Sequence, residues 1–455
     1  MRGMIFRMIY VSDIINECNG DLVCGKLDLE CRHFCKDTRE IKDGDIYVGI
    51  KGETFNGNDF YKDAINKGAS VCILDNDTKI SEEDKKGKTT IVLVDDTIKC
   101  LQKLAKYKRS LYNIPVIAIT GSVGKTSVKD IIYSVVSSKY KVLCTKGNMN
   151  NHIGVPLTIL ELSDQEVLIL EMGMNHSGEL HTLSNIANPT ISIITNIGTA
   201  HIGNLGSKEN ILKAKLEILD GINEDTLIIN NDDEMLRKVK YDNMITIGIN
   251  NKSDYMAREI EDKIFASSFY INDEYVTLPV GSLAFVYNAL FAYAAAVKLG
   301  IEPELIKEAL LNFKLTPHRL ELIDREKIKI IDDTYNASLD SVKNALNLLK
   351  KVDCRKVFIF GDILELDTYG VEIHQEIGQI IVDDKIDVLV AVGNLTKNTY
   401  DTVNSYDRKC YYFASNEELI KNIDKILNDG DMVLVKGSHS MNLVEIVNYL
   451  KDNYE

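Results

Sequence analysis

A lysine and a hydroxyl following a glycine-flanked turn are what a bound phosphate needs, and residues 116–130, VIAITGSVGKTSVKD, provide both. Val116, Ile117, Ala118 and Ile119 form an apolar run that reads as a buried strand. Gly121, Ser122, Val123 and Gly124 make a tight turn, and Lys125, Thr126 and Ser127 lead into an amphipathic helix predicted to start near Ser127. In such a turn backbone N–H groups converge on phosphate oxygens, and the helix N-terminus adds partial positive charge. Lys125 is placed to reach the β- and γ-phosphates, and the Thr126 hydroxyl to ligate Mg²⁺. The strict G-x-x-x-x-G-K-[ST] pattern wants glycine where Ile119 stands, so the loop is the variant T-G-x-x-G-K-T. A nucleoside triphosphate is the expected ligand.

Other candidates follow apolar runs in the same part of the chain. The run VLIL (167–170) ends at Glu171, where an acidic oxygen beside a phosphate loop suits Mg²⁺. The run ISIIT (191–195) is followed by Asn196, Ile197, Gly198 and then His201, a candidate second metal ligand. Asn148, Asn150 and Asn151 stand in TKGNMNNHIGVPLT (145–158). Their amides suit a sugar or pyrophosphate, although an Asn-rich loop is also ordinary in a chain this rich in Asn. Arg319 in T-P-H-R-L-E (316–321) can pair with phosphate, and Asp333 in D-D-T-Y-N-A (332–337) with ribose hydroxyls. Either one, taken alone, could as readily serve a structural salt bridge.

The elements that must carry these residues are legible in outline. At 455 residues the chain exceeds one core. Three domains are predicted: a small N-terminal domain (1–112), a central nucleotide-binding domain (113–314) and a C-terminal Rossmann-like domain (315–455). In the first, residues 37–60 alternate around Ile46, Val48 and Ile50 and read as strands joined by tight turns, and a helix is expected near 97–112. Central strands are predicted at 116–119, 167–170, 191–195 and 226–230, with helices between them and an all-apolar buried helix at 286–299. C-terminal strands are predicted at 328–332, 356–360, 387–392 and 432–435.

Composition narrows the class. The net charge of −15 argues against nucleic-acid binding. No apolar run approaches the ~20 residues that span a bilayer, and the first residues lack a signal-peptide pattern, so no membrane insertion and a cytoplasmic location are expected. Nine scattered cysteines fit reduced thiols, and the cluster Cys18, Cys24, Cys31, His33 and Cys35 lacks the paired spacing of a zinc site.

Taken together these strings resemble the Mur ligase family. The resemblance runs through T-G-x-x-G-K-T, N-x-N-N-x-x-G-x-P-x-T (148–158), E-M-G (171–173) and T-N-I-G-x-A-H (195–201). It continues through E-x-x-x-x-A-K (209–215), P-H-R-x-E (317–321) and D-D-x-Y-N-A (332–337). It implies an α/β, three-domain architecture with a central P-loop parallel-sheet ATPase domain and a C-terminal Rossmann-like domain. D-D-x-Y-N-A followed by G-D-I-L-E-L (361–366) is similar to the members that add D-alanyl-D-alanine to UDP-N-acetylmuramoyl-tripeptide, in peptidoglycan precursor synthesis. The implied reaction uses ATP and Mg²⁺ and passes through an acyl phosphate.

The resemblance also assigns roles. Lys125, His201, Lys215 and Arg319 are implied catalytic residues. Thr126, Glu171, His201 and Lys215 are the implied metal ligands, Lys215 after carbamylation by CO₂. Asn288, Arg319 and Asp333 join the loop residues 121–127 around ATP. Thr38 and Arg39, in D-T-R-x-x-x-x-G-x-x-Y-V-G (37–49), face the uridine nucleotide with Asn148, Asn150 and Asn151, while Tyr335 and Asn336 complete the substrate side. A monomer is expected. The family's H-N-V-x-N is altered here to Ala284 and Phe285 with Asn288 kept, Y-N-A-N-P becomes Y-N-A-S-L (335–339), and Asp367 replaces a glycine. Another Mur-type amide ligase, diamino-acid-adding or folylpolyglutamate synthase-like, and a nucleotide-binding paralogue without turnover are the competing readings.

Overall fold

The computed structural model describes residues 8–221, 226–364 and 366–454. The first seven residues and Glu365 of the G-D-I-L-E-L string lie outside them. The fold is α/β with mostly parallel sheets. By density of contact the chain forms two compact units. One runs through Thr120 and takes in Tyr140–Ile193 and Ala214–Thr226; the other holds Gly121–Lys139, Ile194–Lys213 and everything from Leu227 onward.

The first unit contains a five-stranded sheet in the order Asp21–Cys24, Thr90–Val94, Val71–Asp75, Ile46–Val48, Phe34–Cys35, parallel except at Asp21–Cys24. Cys35, Tyr47, Cys72, Leu74 and Ile91 supply its core with Tyr61 and Ala64. The stretch 37–60 holds one strand rather than several: after Val48 an isolated bridge pairs Lys51 with Asn56, and Gly57–Phe60 winds into a 3₁₀ turn. The Asn56 side chain caps that turn by accepting the Asn58 N–H. The helix Thr97–Ser110 follows, its start fixed by Asp96, whose carboxylate accepts the Lys99 N–H. The same unit holds three parallel strands, Val142–Cys144, Val167–Glu171 and Val116–Thr120, with Glu171 in register with Ile119. Every residue of the last two is buried, as near-continuous apolar runs predict for strands covered on both faces.

In the second unit the helix after the phosphate loop begins at Lys125, two residues before the expected start, because Gly124 at φ +83° makes the turn into it. It packs against the helix Leu283–Lys298, which is buried along most of its length. The expected strict alternation of strand and helix breaks after Thr226–Asn230. Met244–Gly248 and Tyr255–Asp262 continue in parallel, and Ser267–Ile271 and Glu274–Leu278 add antiparallel strands. The last two are joined by a two-residue turn at Asn272 and Asp273, and Asn272 takes the left-handed backbone such a hairpin needs.

The C-terminal six-stranded sheet runs Glu321–Asp324, Lys329–Asp333, Met432–Lys436, Lys356–Gly361, Val388–Val392, Cys410–Phe413. Only the first pair is antiparallel. Its two faces bury separate apolar clusters, one under the helix Val444–Asn453 and the other under Leu339–Leu349 and Gly370–Asp383. The edge strands Glu321–Asp324 and Cys410–Phe413 escape a sequence reading because each is four residues long and only partly buried. Ligands of such sheets bind outside the carboxyl ends of the strands, which here are Asp333, Gly361, Val392 and Lys436.

Candidate active site

The phosphate loop is tied to the segment that follows the Ile191–Ile194 strand. Ser122 N–H donates to the Asn196 carbonyl at 3.1 Å, and Gly198 N–H donates to the Ser122 hydroxyl at 2.9 Å. Val123 is held at both ends of its peptide: its N–H donates to Asn196 Oδ1 at 2.9 Å, and its carbonyl accepts from Asn196 Nδ2 and Thr195 Oγ1. Gly121 is obligatory, because a Cβ there would stand 1.9 Å from Thr195 Oγ1 and its φ is +152°. In the sequence Asn196 stands after a buried strand, with no role assigned to it. It buttresses the turn from a distance of more than seventy residues.

Lys125 and Thr126 open the helix, Thr126 buried, and Lys125 Nζ reaches the Gly121 carbonyl at 2.9 Å. Asn288 is buried on the Leu283–Lys298 helix, and its Oδ1 is the atom nearest to where a Cβ on Gly124 would stand. Phe285, one turn earlier, is buried and packs its ring 6.2 Å from Phe313. Position 285 is therefore core, which explains why a polar residue is absent there. His201 caps the short helix Ile202–Leu205 with a left-handed backbone, φ +64°.

Glu171 sits at the tip of its strand, buried. Asn150 Nδ2 donates to its Oε1 at 2.8 Å, while Oε2 has no hydrogen-bond partner among the described residues. A buried carboxylate oxygen left this way is costly unless a cation or donor meets it, and that oxygen fits Mg²⁺. Asn150 thus orients Glu171, and the Asn150 carbonyl accepts the Gly173 N–H. Asn151 Oδ1 accepts the N–H groups of Ile153 and Gly154 at the start of the Gly154–Leu160 helix, and Asn148 is exposed. Lys215, near the end of the Lys208–Leu216 helix, is 1% exposed. Of the expected metal ligands, Glu171 and Lys215 belong to the first compact unit, and Thr126 and His201 to the second.

Around Arg319 the fold builds a second polar centre. The guanidinium lies 3.8 Å above the Tyr335 ring, and its buried Nε has no hydrogen-bond partner among the described residues. Asp333, in register with Lys436 on the neighbouring strand, pairs with that lysine at 2.5 Å and accepts the Leu320 N–H. Burial pushes the Asp333 carboxyl above its ordinary range, and Lys436 and Arg319 pull it back. Lys436 Nζ also donates to the Asn336 carbonyl at 3.0 Å. Lys436 was missed in the sequence; a lysine at a strand tip before Gly437 and Ser438 was its only trace. Tyr335 supports Arg319, and Asn336 Oδ1 faces the His439 N–H at 3.4 Å.

On the N-terminal side Arg39 is 86% exposed and bound to Asp37, with Nε and Nη2 both on the carboxylate. This contact holds the Asp37 carboxyl down at about 2. The Thr38 carbonyl accepts Lys67 Nζ. Cys18, Cys24, Cys31 and Cys35 each donate to a different backbone carbonyl, and none of the nine cysteines is in a disulfide.

Comparison with known proteins places this geometry. Three family descriptions match in chain order: the Mur ligase family catalytic domain at 33–109, the Mur ligase middle domain at 119–296, and the Mur ligase glutamate ligase domain at 318–439. The chain is 36% identical over 427 residues to the UDP-N-acetylmuramoyl-tripeptide–D-alanyl-D-alanine ligase of Bacillus subtilis, covering 90% of this chain and 91% of that protein. Among solved structures it resembles MurF from Acinetobacter baumannii, with a TM-score of 0.89 at 28% identity over 98% of this chain and 100% of that one. It also resembles MurF from Thermotoga maritima in complex with ADP, with a TM-score of 0.82 at 26% identity over 93% and 98%. With the phosphate loop, the strand-tip glutamate and the Arg319 centre all present in a chain matched along nearly its whole length, the protein belongs to the Mur ligase family.

Proposed function

We infer that the chain is an ATP-dependent ligase that joins D-alanyl-D-alanine to UDP-N-acetylmuramoyl-tripeptide in peptidoglycan precursor synthesis. The observation that carries this is collinear likeness over nine-tenths of the chain to a ligase of that name, with the phosphate-binding loop intact. The functional division is into 1–112 for the uridine nucleotide, 113–314 for ATP and 315–455 for the C-terminal Rossmann-like part. Among the described residues no helix is long and apolar enough to cross a membrane. A cytoplasmic monomer is the state proposed.

In the first step a carboxylate oxygen of the acceptor peptide attacks the γ-phosphorus of ATP, and the bond to the bridging oxygen breaks to release ADP. The amine of D-alanyl-D-alanine then adds to the acyl carbon, loses a proton, and phosphate leaves with its bonding pair. Little covalent chemistry falls to the protein, so positioning and charge neutralisation dominate. The loop N–H groups and Lys125 take the phosphates, Arg319 offers a fixed cation to the charge that develops, and Asn288 and Asp333 serve the nucleoside. Thr126, Glu171, His201 and carbamylated Lys215 would hold Mg²⁺, which when bound neutralises charge on the transferring group. Carbamylation requires the neutral amine, whose nitrogen bonds CO₂ and releases a proton, and the Lys215 side chain is buried. Thr38 and Arg39, with Asn148 and the remaining amide atoms of Asn150 and Asn151 (Oδ1 and Nδ2 respectively), take the uridine-linked part of the acceptor, and Tyr335 and Asn336 shape the incoming-amine side.

ADP release should depend on both the UDP-muramoyl-tripeptide and D-alanyl-D-alanine. Turnover with free amino acids in place of the dipeptide would move the assignment to another Mur-type ligase, and absence of any acceptor-dependent turnover would leave a binding paralogue.

A further inference from the structure

Arg319 stands between two residues with left-handed backbone, His318 at φ +66° and Leu320 at φ +51°. Side chains with a Cβ are strained there, and such strain persists only where neighbours over-determine the conformation. They do so at both residues. His318 N–H donates to Glu321 Oε2 at 3.1 Å, the His318 carbonyl accepts the Tyr335 N–H at 3.1 Å, and Leu320 N–H donates to Asp333 Oδ1 at 3.2 Å. The remaining tether comes from a side chain: His318 Nδ1 lies 2.7 Å from Asp332 Oδ2. Asp332 is fully buried, and its other oxygen accepts both the N–H and the hydroxyl of Thr334. His318, Glu321 and Asp332 cluster closely enough to suggest a cation site. Their facing oxygens are already used to hold the turn, so the cluster serves the backbone.

We propose that His318 is a positioning residue for Arg319, its imidazole anchored on the buried Asp332 carboxylate and its backbone held in the turn that lays the guanidinium on Tyr335. The inference deepens, and rests on, the reading of Arg319 as the cation that meets developing phosphate charge. A turn released at His318 would let the guanidinium leave the ring, and misplacement on the scale of an ångström costs up to about a hundredfold in rate.

The test compares His318→Gly, His318→Asn, Arg319→Ala and the double variant His318→Gly/Arg319→Ala, measuring kcat, the KM of each substrate and the melting temperature. Glycine tolerates the backbone but loses the anchor, so kcat should fall about tenfold with the KM for the UDP substrate unchanged. Asparagine accepts left-handed backbone and can donate to Asp332, so it should restore kcat to within about threefold of wild type. In the Arg319→Ala background the glycine change should have no further effect on kcat. An equal loss in both backgrounds, or an asparagine variant as slow as the glycine one, would overturn the positioning role. Wild-type kcat for Arg319→Ala would remove the reading of Arg319 itself, and the role of His318 with it.

Discussion

Arg319 and Arg39 both stand in motifs suited to an anionic ligand, yet the fold treats them in opposite ways. Arg319 is stacked on Tyr335 with a buried Nε that has no partner among the described residues, at a turn pinned by Asp332, Asp333, Glu321 and Tyr335. Arg39 projects into solvent and satisfies its guanidinium on Asp37, two residues away. The first is preorganised, so its donors need no rearrangement when charge develops, and its contribution should appear in kcat. In the proposed role the second would exchange Asp37 for an anionic oxygen of the uridine nucleotide, a nearly even trade in water, and should appear as a modest change in KM.

Lys125→Ala should have the largest effect on the preorganised side. No other residue of the loop 121–127 carries a positive charge, so kcat should fall by about a thousandfold or more while the melting temperature holds. Retention of more than a small fraction of the wild-type rate would break the phosphate-loop assignment. Arg319→Ala should cost about a hundredfold in kcat, and Arg319→Lys should recover little, because a lysine cannot form the planar stack on Tyr335. Lys215→Ala should lose about as much, unrelieved by bicarbonate but partly rescued by short-chain carboxylates, which supply the oxygen that the carbamate would. Full activity of that variant would exclude the role.

The uridine side should respond more gently. Arg39→Ala should raise the KM of the UDP substrate about tenfold with kcat unchanged, and Asp37→Asn, which frees the guanidinium, should lower it by about threefold. The pH dependence follows from the same pair. Arg39 lowers the Asp37 carboxyl in the folded chain, so the pair's contribution is present above the ordinary carboxylate range and is lost as pH falls through about 2. Between about pH 5 and 9 Asp37 should therefore add no slope to that KM. An unchanged KM for Arg39→Ala would leave the arginine as a surface ion pair. The smallest catalytic effect is expected at the adenine-side departures: Ala284→His should change the KM for ATP by less than about threefold. Phe285→Asn should cost about 3–5 kcal/mol of stability, seen as a lower melting temperature, because it empties a packed core site.

The phosphate loop was legible because everything that makes it work is contiguous. A buried strand, two glycines, a lysine and a helix start occupy one short run, and their local dihedral preferences already converge the N–H groups. The Arg319 centre was legible only as separate residues. Nothing near Arg319 in sequence indicates that Tyr335 lies under it, and Lys436 pairs with Asp333 across 103 positions. The strands 244–278 were missed in part because a partly exposed sheet extension lacks the apolar runs that mark buried parallel strands. Residues 37–60 were over-read for the opposite reason, since alternation around Ile46, Val48 and Ile50 belongs to one short strand followed by a turn.

By itself, then, the sequence determined the α/β class and, through motifs in order, the family, and it is the ground on which nucleotide-binding chemistry is proposed for residues 121–127. These rest on short-range geometry and on residue types that a phosphate or a buried strand requires wherever it occurs. The tertiary structure alone decided which polar groups are committed to the protein and which are left for a ligand. Asn150 is given to one oxygen of Glu171 while the other is buried without a partner among the described residues, Phe285 is given to the core, and Arg319 is turned onto Tyr335 with its Nε buried and likewise unpartnered. Burial and pairing of this kind depend on strand order and register across a hundred residues, and a polar side chain's free energy is settled only when its neighbours are in place.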